Sequence, residues 1–261
     1  MTLQLGSHGP DVLAWQSALS GRGYAVGTPD GDFGKVTHNA TCAFQTCSAL
    51  PTTGIVGAAE QAALHGSSAP RPAPVLGYSI PFVASRFFGA VRAIIDDIVL
   101  HSIECPEAST RAETCAQYMA DLPVDGPKKS AHYYCDSDTV VQGVPDHRVA
   151  YAAPGANAHG LHIEHAGYAR QTRAEWLDDF SIRMLSLSAQ LCARKCREYD
   201  IPIRFLRSAD LRSARPRGIT THYEVSQAFL KSDHTDPGKE FPIDWYIARV
   251  QLAYDVAGAR V

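Results

Sequence analysis

Residues 66–74 read Gly-Ser-Ser-Ala-Pro-Arg-Pro-Ala-Pro. Three prolines among small and polar side chains neither continue a helix nor pair within a sheet, so the chain must divide there. A Pro-rich linker over residues 66–78 therefore separates a first segment, 1–65, from a second, 79–261. The full 261 residues exceed one typical domain, and the linker apportions them unequally.

Charge and hydropathy narrow the function classes. The chain carries 24 Lys and Arg against 27 Asp and Glu, for a net charge of −3. Neither segment offers the basic stripe that a nucleic-acid partner requires. No apolar run approaches the ~20 residues of a membrane span, so no membrane partner is expected. The opening residues, MTLQLGSHGPDV, lack a basic stretch followed by an apolar core, and no secretory signal is read there. The 7 cysteines are odd in number and show no CxxC spacing. That pattern fits reduced, buried thiols better than a disulfide framework or a Cys-rich zinc site. A Cys105–Cys115 pairing at a strand-to-helix connection stays open.

The first segment reads as three short helices joined by Gly-rich turns. Asp11 is placed as the cap of a helix carrying Val12, Trp15 and Leu19 at helical spacing. The run Pro29-Asp30-Gly31-Asp32-Phe33-Gly34 makes a turn, a second helix carries Ala40, Ala43 and Phe44, and a short third covers Glu60 to Leu64. Trp15, Phe33 and Phe44 form the expected core.

The second segment alternates strands and helices, as helices packed on a mixed sheet do. Ile94 to Ser102 reads as a central strand, and Ala131 to Tyr134 with Thr139 to Gly143 as an adjacent pair. Gly160 to His165 and Gly218 to Thr221 read as further strands. A helix is expected over Thr110 to Leu122 with Thr110 and Glu113 as a capping box. Another spans Arg173 to Tyr199, stopped by Asp200-Ile201-Pro202, and Asp244 to Ala257 closes the segment.

Eight of the 11 histidines lie between His101 and His234, a concentration that suggests metal or acid–base chemistry. A catalytic zinc needs three protein ligands and one open position. His101 ends a buried strand, His222 follows Gly218 to Thr221, and Asp236 sits in His234-Thr235-Asp236-Pro237-Gly238. No HxxxH spacing links them, so on spacing alone each is either a ligand or a satisfied polar residue. On the strand Gly160 to His165, His162 shares a face with Glu164, and Ile163 and His165 take the other. His132, within a strand beside Tyr133, reads as a structural or groove residue; His147 and His159 read as solvated. Glu104 is either a partner of the site or an exposed acid. Ser102 and Ser130 lack a nucleophile elbow, Cys135 reads as buried and inert, and glycine-rich phosphate loops are absent.

Two resemblances add to this reading. Residues 1–65 resemble the type 1 peptidoglycan-binding domain through Leu5-Gly6-Ser7, Gly9, Val12, Gln16, Leu19, Gly23-Tyr24, Asp30-Gly31, Phe33-Gly34, Thr37, Phe44-Gln45 and Gly54-Ile55-Val56-Gly57. Thr52-Thr53 departs from it, since an acidic residue commonly precedes that glycine. The resemblance implies a three-helix module that targets wall peptidoglycan.

Residues 85–250 resemble the type 2 N-acetylmuramoyl-L-alanine amidase family. The carrying residues are Ile98 to Ser102 with Glu104; Ser130-Ala131-His132-Tyr133; Val140-Val141-Gln142; Asn157; Ile163-Glu164-His165 with Gly167-Tyr168; Gly218-Ile219-Thr220 with His222; and His234 to Gly238 with Phe241-Pro242. This resemblance implies an α/β fold with a mixed central sheet flanked by helices, and Zn2+ held by His101, His222 and Asp236, with Asp236 rather than His234 as third ligand. Glu164 matches the acid that activates water. His234 stands where many relatives carry Lys, and is assigned to the oxyanion. Ala131 replaces a Tyr, Tyr151-Ala152-Ala153 replaces Trp-His-Ala, and His162 replaces a Gly.

The implied activity is hydrolysis of the amide between N-acetylmuramic acid and L-alanine of bacterial peptidoglycan. The closest subset of the family is phage endolysins, which implies a protein held in the host cytoplasm until released to the wall; its oligomeric state stays open, with a monomer favoured. The rival expectations are a non-catalytic recognition protein on the same fold and a zinc peptidase of the stem peptide.

Overall fold

The computed structural model describes residues 2–21, 24, 26–48, 50–65, 75–77, 79–213 and 216–258. The linker run 66–74 lies outside them. By internal contacts the chain divides into two compact units, residues 1–73 with 255–261 and residues 74–254.

The first unit contains α1 (Pro10–Gly21), α2 (Lys35–Cys47) and α3 (Ala58–His65). Helix α1 begins at Pro10, whose fixed φ suits the first helical position. Asp11 therefore lies inside the first turn and is not the cap. Val12, Trp15 and Leu19 are buried with Phe33, Phe44, Val56 and Leu64, and Trp15 meets Phe44 edge to face at 5.3 Å. Two buried glutamines hold the turns. Gln16 Oε1 accepts from the Asp30 and Gly31 amides, and its Nε2 donates to Thr37 Oγ1 at 2.8 Å. Gln45 repeats the device one helix later: its Oε1 accepts from the Gly54 amide and its Nε2 donates to Glu60 Oε1. A core this small gains order from such bonds, because each turn's backbone groups are satisfied by a side chain already buried.

The second unit is built on β1 (Asp97–Ser102), α4 (Arg111–Ala120), β2 (Tyr133–Cys135), β3 (Val140–Gln142), β4 (Gly160–His165), α5 (Asp179–Glu198), α6 (Ser208–Leu211), β5 (Gly218–Thr221), α7 (His222–Phe229) and the part of α8 (Ile243–Gly258) up to residue 254. The sheet order is β3-β2-β4-β1-β5. β2, β4, β1 and β5 run parallel, and β3 returns antiparallel on one edge. Among the described residues no helix is long and apolar enough to cross a membrane.

Side-chain alternation sorts the two sheet faces. Ile98, Leu100, Leu161, Ile163, Tyr133 and Cys135 pack with Leu185, Leu191 and Cys192 of α5 and with Tyr246 and Val250 of α8. On the opposite face Val99 packs with Leu206, Leu211 and Val225 near α6 and α7, and Tyr134 and Val141 pack with Ala112 and Ala116 of α4.

Two local expectations are corrected, and the pairing left open is resolved. Thr110 makes no side-chain cap bond; Asp136 from the β2–β3 turn accepts from the Ala112 amide at 2.9 Å and holds that helix end. The same carboxylate accepts from the Asp138 and Thr139 amides. The expected helix over Arg173 to Tyr199 is broken: Glu175 to Leu177 form a 3-10 turn, and Asp178 caps α5 by accepting from the Ser181 amide. Cys105 and Cys115 are free thiols. Burial pushes the thiols of Cys115 and Cys135 up, as it does for any group that would have to ionise away from water.

Candidate metal centre

Parallel strands bring their C-terminal ends to one edge, and ligand sites in open α/β sheets gather there. His101 is the fifth residue of β1, in register with Glu164 of β4. Leu100 is in register with Thr221, the last residue of β5, so His222, the first residue of α7, stands beside the His101 strand end. The Thr221 hydroxyl accepts from the Glu224 amide and starts α7 there. Asp236 arrives from the loop after α7, where its carbonyl accepts from the Tyr223 amide at 2.8 Å.

Three side chains converge at this edge. His101 Nδ1 lies 3.1 Å from Asp236 Oδ2, and His222 Nδ1 lies 3.0 Å from Asp236 Oδ1. One ligand atom from each of His101, His222 and Asp236 falls within 4.8 Å of the others, and all three residues are buried. Burial works to raise the Asp236 carboxyl, but the hydrogen bonds from His101 and His222 outweigh it and hold the group far below the usual carboxylate range. Burial depresses the His101 imidazole, which favours the neutral form that a metal ligand needs. Ligand atoms ~2.0–2.1 Å from a tetrahedral zinc stand about 3.3 Å apart, close to the two nitrogen–oxygen distances found. Two imidazoles and one carboxylate thus fit a zinc ion with a fourth position open.

Glu164 stands next to the cluster. Its Oε2 is buried and has no hydrogen-bond partner among the described residues. Burial first, then the Asp236 and Glu104 carboxylates, push its carboxyl well above the usual range. A buried carboxyl beside the three converging side chains is placed for general acid–base work. His234 lies on the open side: its ring stacks on His222 at 4.4 Å, its Nδ1 is 3.3 Å from Asp236 Oδ1, and its side chain is 60% exposed. The cleft in front, of about 250 Å³, is lined by Glu104, Ala169, Asp233, His234, Thr235 and Asp236.

Glu104 is exposed, but it ties loops together. It accepts from Ser102 Oγ at 2.6 Å and from the Ala169 amide at 2.7 Å. Ala169 in turn abuts Gly238 so closely that a Cβ there would lie 2.0 Å from the Ala169 carbonyl oxygen. Glycine at 238, with φ near +97°, lets the Asp236 loop close down.

The remaining histidines divide cleanly. His147 and His159 are exposed. His165 faces α5: its Nδ1 is 2.8 Å from the His101 carbonyl oxygen and its Nε2 is 2.6 Å from Ser188 Oγ. His132 is buried under the site. Its Nδ1 accepts from the His162 amide, and its Nε2 lies 2.9 Å from Arg92 Nη2 and 3.0 Å from the Arg148 carbonyl oxygen. Burial and the Arg92 charge push its ring down to about 3. His162 stands on the site face with its Nδ1 3.0 Å from His101 Nε2. Arg92 and that His162–His101 contact carry no motif in the sequence; the period-two face shared by His162 and Glu164 is the one available signal. Ser232 Oγ, 3.4 Å from His222 Nε2, is likewise invisible to spacing.

Residues 91–239 match a family model described as N-acetylmuramoyl-L-alanine amidase, and residues 8–64 match one described as putative peptidoglycan binding domain. Among solved structures the chain is similar to the hydrolase AmiA of Staphylococcus aureus in complex with its ligand, at 16% identity and TM-score 0.54, covering 72% of this chain and 88% of that one. It is also similar to the N-acetylmuramoyl-L-alanine amidase LysC from Clostridium intestinale, at 18% identity and TM-score 0.45, covering 67% and 99%. The SleB N-terminal domain matches at 38% identity and TM-score 0.24, over 24% of this chain and 88% of that one. The likeness to the staphylococcal hydrolase is one of fold. No curated protein matches the chain.

Proposed function

The chain belongs to the N-acetylmuramoyl-L-alanine amidase family, and on that premise we propose that it is a zinc-dependent peptidoglycan amidase. Its substrate bond is the amide between N-acetylmuramic acid and the L-alanine that begins the stem peptide. Residues 1–65 serve as a wall-binding module, 66–78 as linker and 79–261 as the catalytic domain. Tethering to the wall raises the effective concentration of substrate at the catalytic domain. The pairing of the two modules fits an endolysin that reaches the wall from inside a phage-infected host.

The observation that carries this reading is the convergence of His101, His222 and Asp236 beside the unpaired carboxyl of Glu164. Those three residues would hold the zinc, which supplies a Lewis acid for the scissile carbonyl and an acidified water. Glu164 takes the proton of the attacking water and then delivers it to the leaving amine of L-alanine. His234, at the open edge, donates a hydrogen bond to the developing oxyanion. The cleft walls formed by Thr235 and Ala169 orient the substrate.

Digestion of purified cell wall tests the reading. We expect lactyl-sugar strands free of peptide, together with peptides that begin with L-alanine, and loss of both products on chelation. Fragments cut within the stem peptide would identify a peptidase instead. Absence of any product from zinc-loaded protein would identify a non-catalytic binding protein.

A further inference from the structure

A metal-bound imidazole nitrogen carries no proton, so the ring's other nitrogen must. His101 turns its Nδ1 toward Asp236 and the open edge. Its Nε2 then bears the proton, and the atom facing it is His162 Nδ1 at 3.0 Å. For that contact to be a hydrogen bond, His162 Nδ1 must accept. The His162 proton is thereby confined to Nε2, which is buried and has no partner among the described residues.

His162 is held from behind in the orientation this requires. Its amide donates to His132 Nδ1 at 3.0 Å, and the two rings stack at 5.6 Å with planes 15° apart. His132 rests against Arg92, whose Nη1 donates to the Gly160 carbonyl at 2.7 Å and whose Nε donates to the Asp146 carbonyl at 2.8 Å. The guanidinium is anchored to the β4 backbone and to the loop before it, so the stack has little freedom. Metal-ligating histidines generally hand their second N–H to a carboxylate, carbonyl or water; at this site the group in place is a neutral, fully buried imidazole.

We propose that His162 is a positioning residue for the metal: by accepting the Nε2 proton of His101, it fixes the tautomer and ring orientation with which His101 Nδ1 meets the ion. This rests on the zinc reading above and concerns the affinity of the site.

Two substitutions in the full chain test it, read by zinc affinity in chelator competition. His162→Leu fills similar space without an acceptor and should weaken zinc binding about 10–100-fold. His162→Asn places an amide oxygen near the former Nδ1 position and should stay within about threefold of wild type, a rescue that a purely space-filling role would not give. The thermal midpoint of each metal-free variant is measured alongside. Wild-type zinc affinity in the Leu variant, or an Asn variant as weak as Leu, overturns the proposal. Should the Leu variant not fold, nitrogen NMR of zinc-loaded wild type decides: the proposal requires protons on Nε2 of both His101 and His162, and a proton on His162 Nδ1 refutes it. Wild-type protein that takes up no zinc would overturn the functional reading itself.

Discussion

The two sides of strand β4 carry the same kinds of residue in opposite states. Toward α5, His165 sits in a closed line of bonds. Its Nδ1 must donate to the His101 carbonyl, which can only accept, so its Nε2 accepts from Ser188 Oγ, and Ser188 in turn accepts from Tyr246 OH at 2.7 Å. Every polar atom in that line has a partner, and burial presses the His165 ring down to about 4, so it stays neutral. Toward α4 and α7, His162 Nε2 and Glu164 Oε2 are buried without one among the described residues. An unpaired buried polar atom costs about 1–3 kcal/mol. On β4 the α5 side holds His165 fully paired, while the opposite side leaves two polar atoms beside His101 without such bonds.

The hardest blow to this comparison would fall on Glu164. Glu164→Gln keeps the shape of the side chain and removes its capacity to accept and return a proton. Turnover should fall about 10²–10⁴-fold with one equivalent of zinc retained. Near-wild-type turnover in zinc-loaded protein would mean that the unpaired oxygen on this face marks nothing catalytic.

Much of this arrangement is legible in the order of residues alone. The run Ile98-Val99-Leu100-His101 puts hydrophobes on both faces and a histidine at the strand end, and period two by itself sets His162 with Glu164 against Ile163 with His165. The family resemblance names His101, His222 and Asp236 as ligands, and the fold brings those three together. What stays hidden depends on contacts between distant parts of the chain. Thr110 and Glu113 have the spacing of a capping box, yet Asp136, remote in sequence, holds that helix end. Apolar periodicity runs through Trp176 and Phe180, yet Asp178 competes for the backbone as an N-cap and breaks the helix. Arg92 and His132 brace His162 across the packed sheet, and no spacing along the chain links the three. Gln16 and Gln45 stand at family positions, but their shared task of closing a glycine turn is visible only in the bonds.

Asp97 sharpens the comparison from the other end of the same face. It shares the Val99 and His101 side of β1, and its Oδ1 is also buried and unpaired. Burial first, then the neighbouring Asp96, raise its carboxyl from 3.8 to about 7, against the opposing charge of Arg92. Lying at the N-terminal end of the strand, far along β1 from His101, it should be a cost without a catalytic return. The folded state keeps a proton there that the unfolded chain has lost, so this group's contribution to stability is greatest below pH 4 and declines as pH rises to about 7. The gap corresponds to at most about 4 kcal/mol, at 1.36 kcal/mol per pH unit. Asp97→Asn should flatten that decline and raise the unfolding free energy at pH 8 by about 1–3 kcal/mol, with turnover unchanged. Denaturant titrations at pH 4.5 and pH 8 provide the check. A wild-type decline that persists in the variant would place its origin elsewhere.

The smallest expected effect lies on the closed face. Tyr246→Phe removes the hydroxyl at the end of the His165 line and keeps the ring, which packs against Phe241 and His165. Ser188 Oγ loses one donor but still donates to His165 Nε2, so His165 remains paired on both nitrogens. One neutral hydrogen bond of this kind is worth about 0.5–1.5 kcal/mol. In a domain of 150–250 residues that amounts to ~2–4 °C in the melting midpoint per kcal/mol. Zinc affinity and turnover should stay at wild-type values, because His165 keeps its bond to the His101 carbonyl and β1 keeps its register. A stability loss with no change in zinc binding would show that the closed face carries the fold and the open face the chemistry. A variant that lost zinc affinity along with stability would show instead that the His101 strand end is set from the α5 side, and that the two faces act as one.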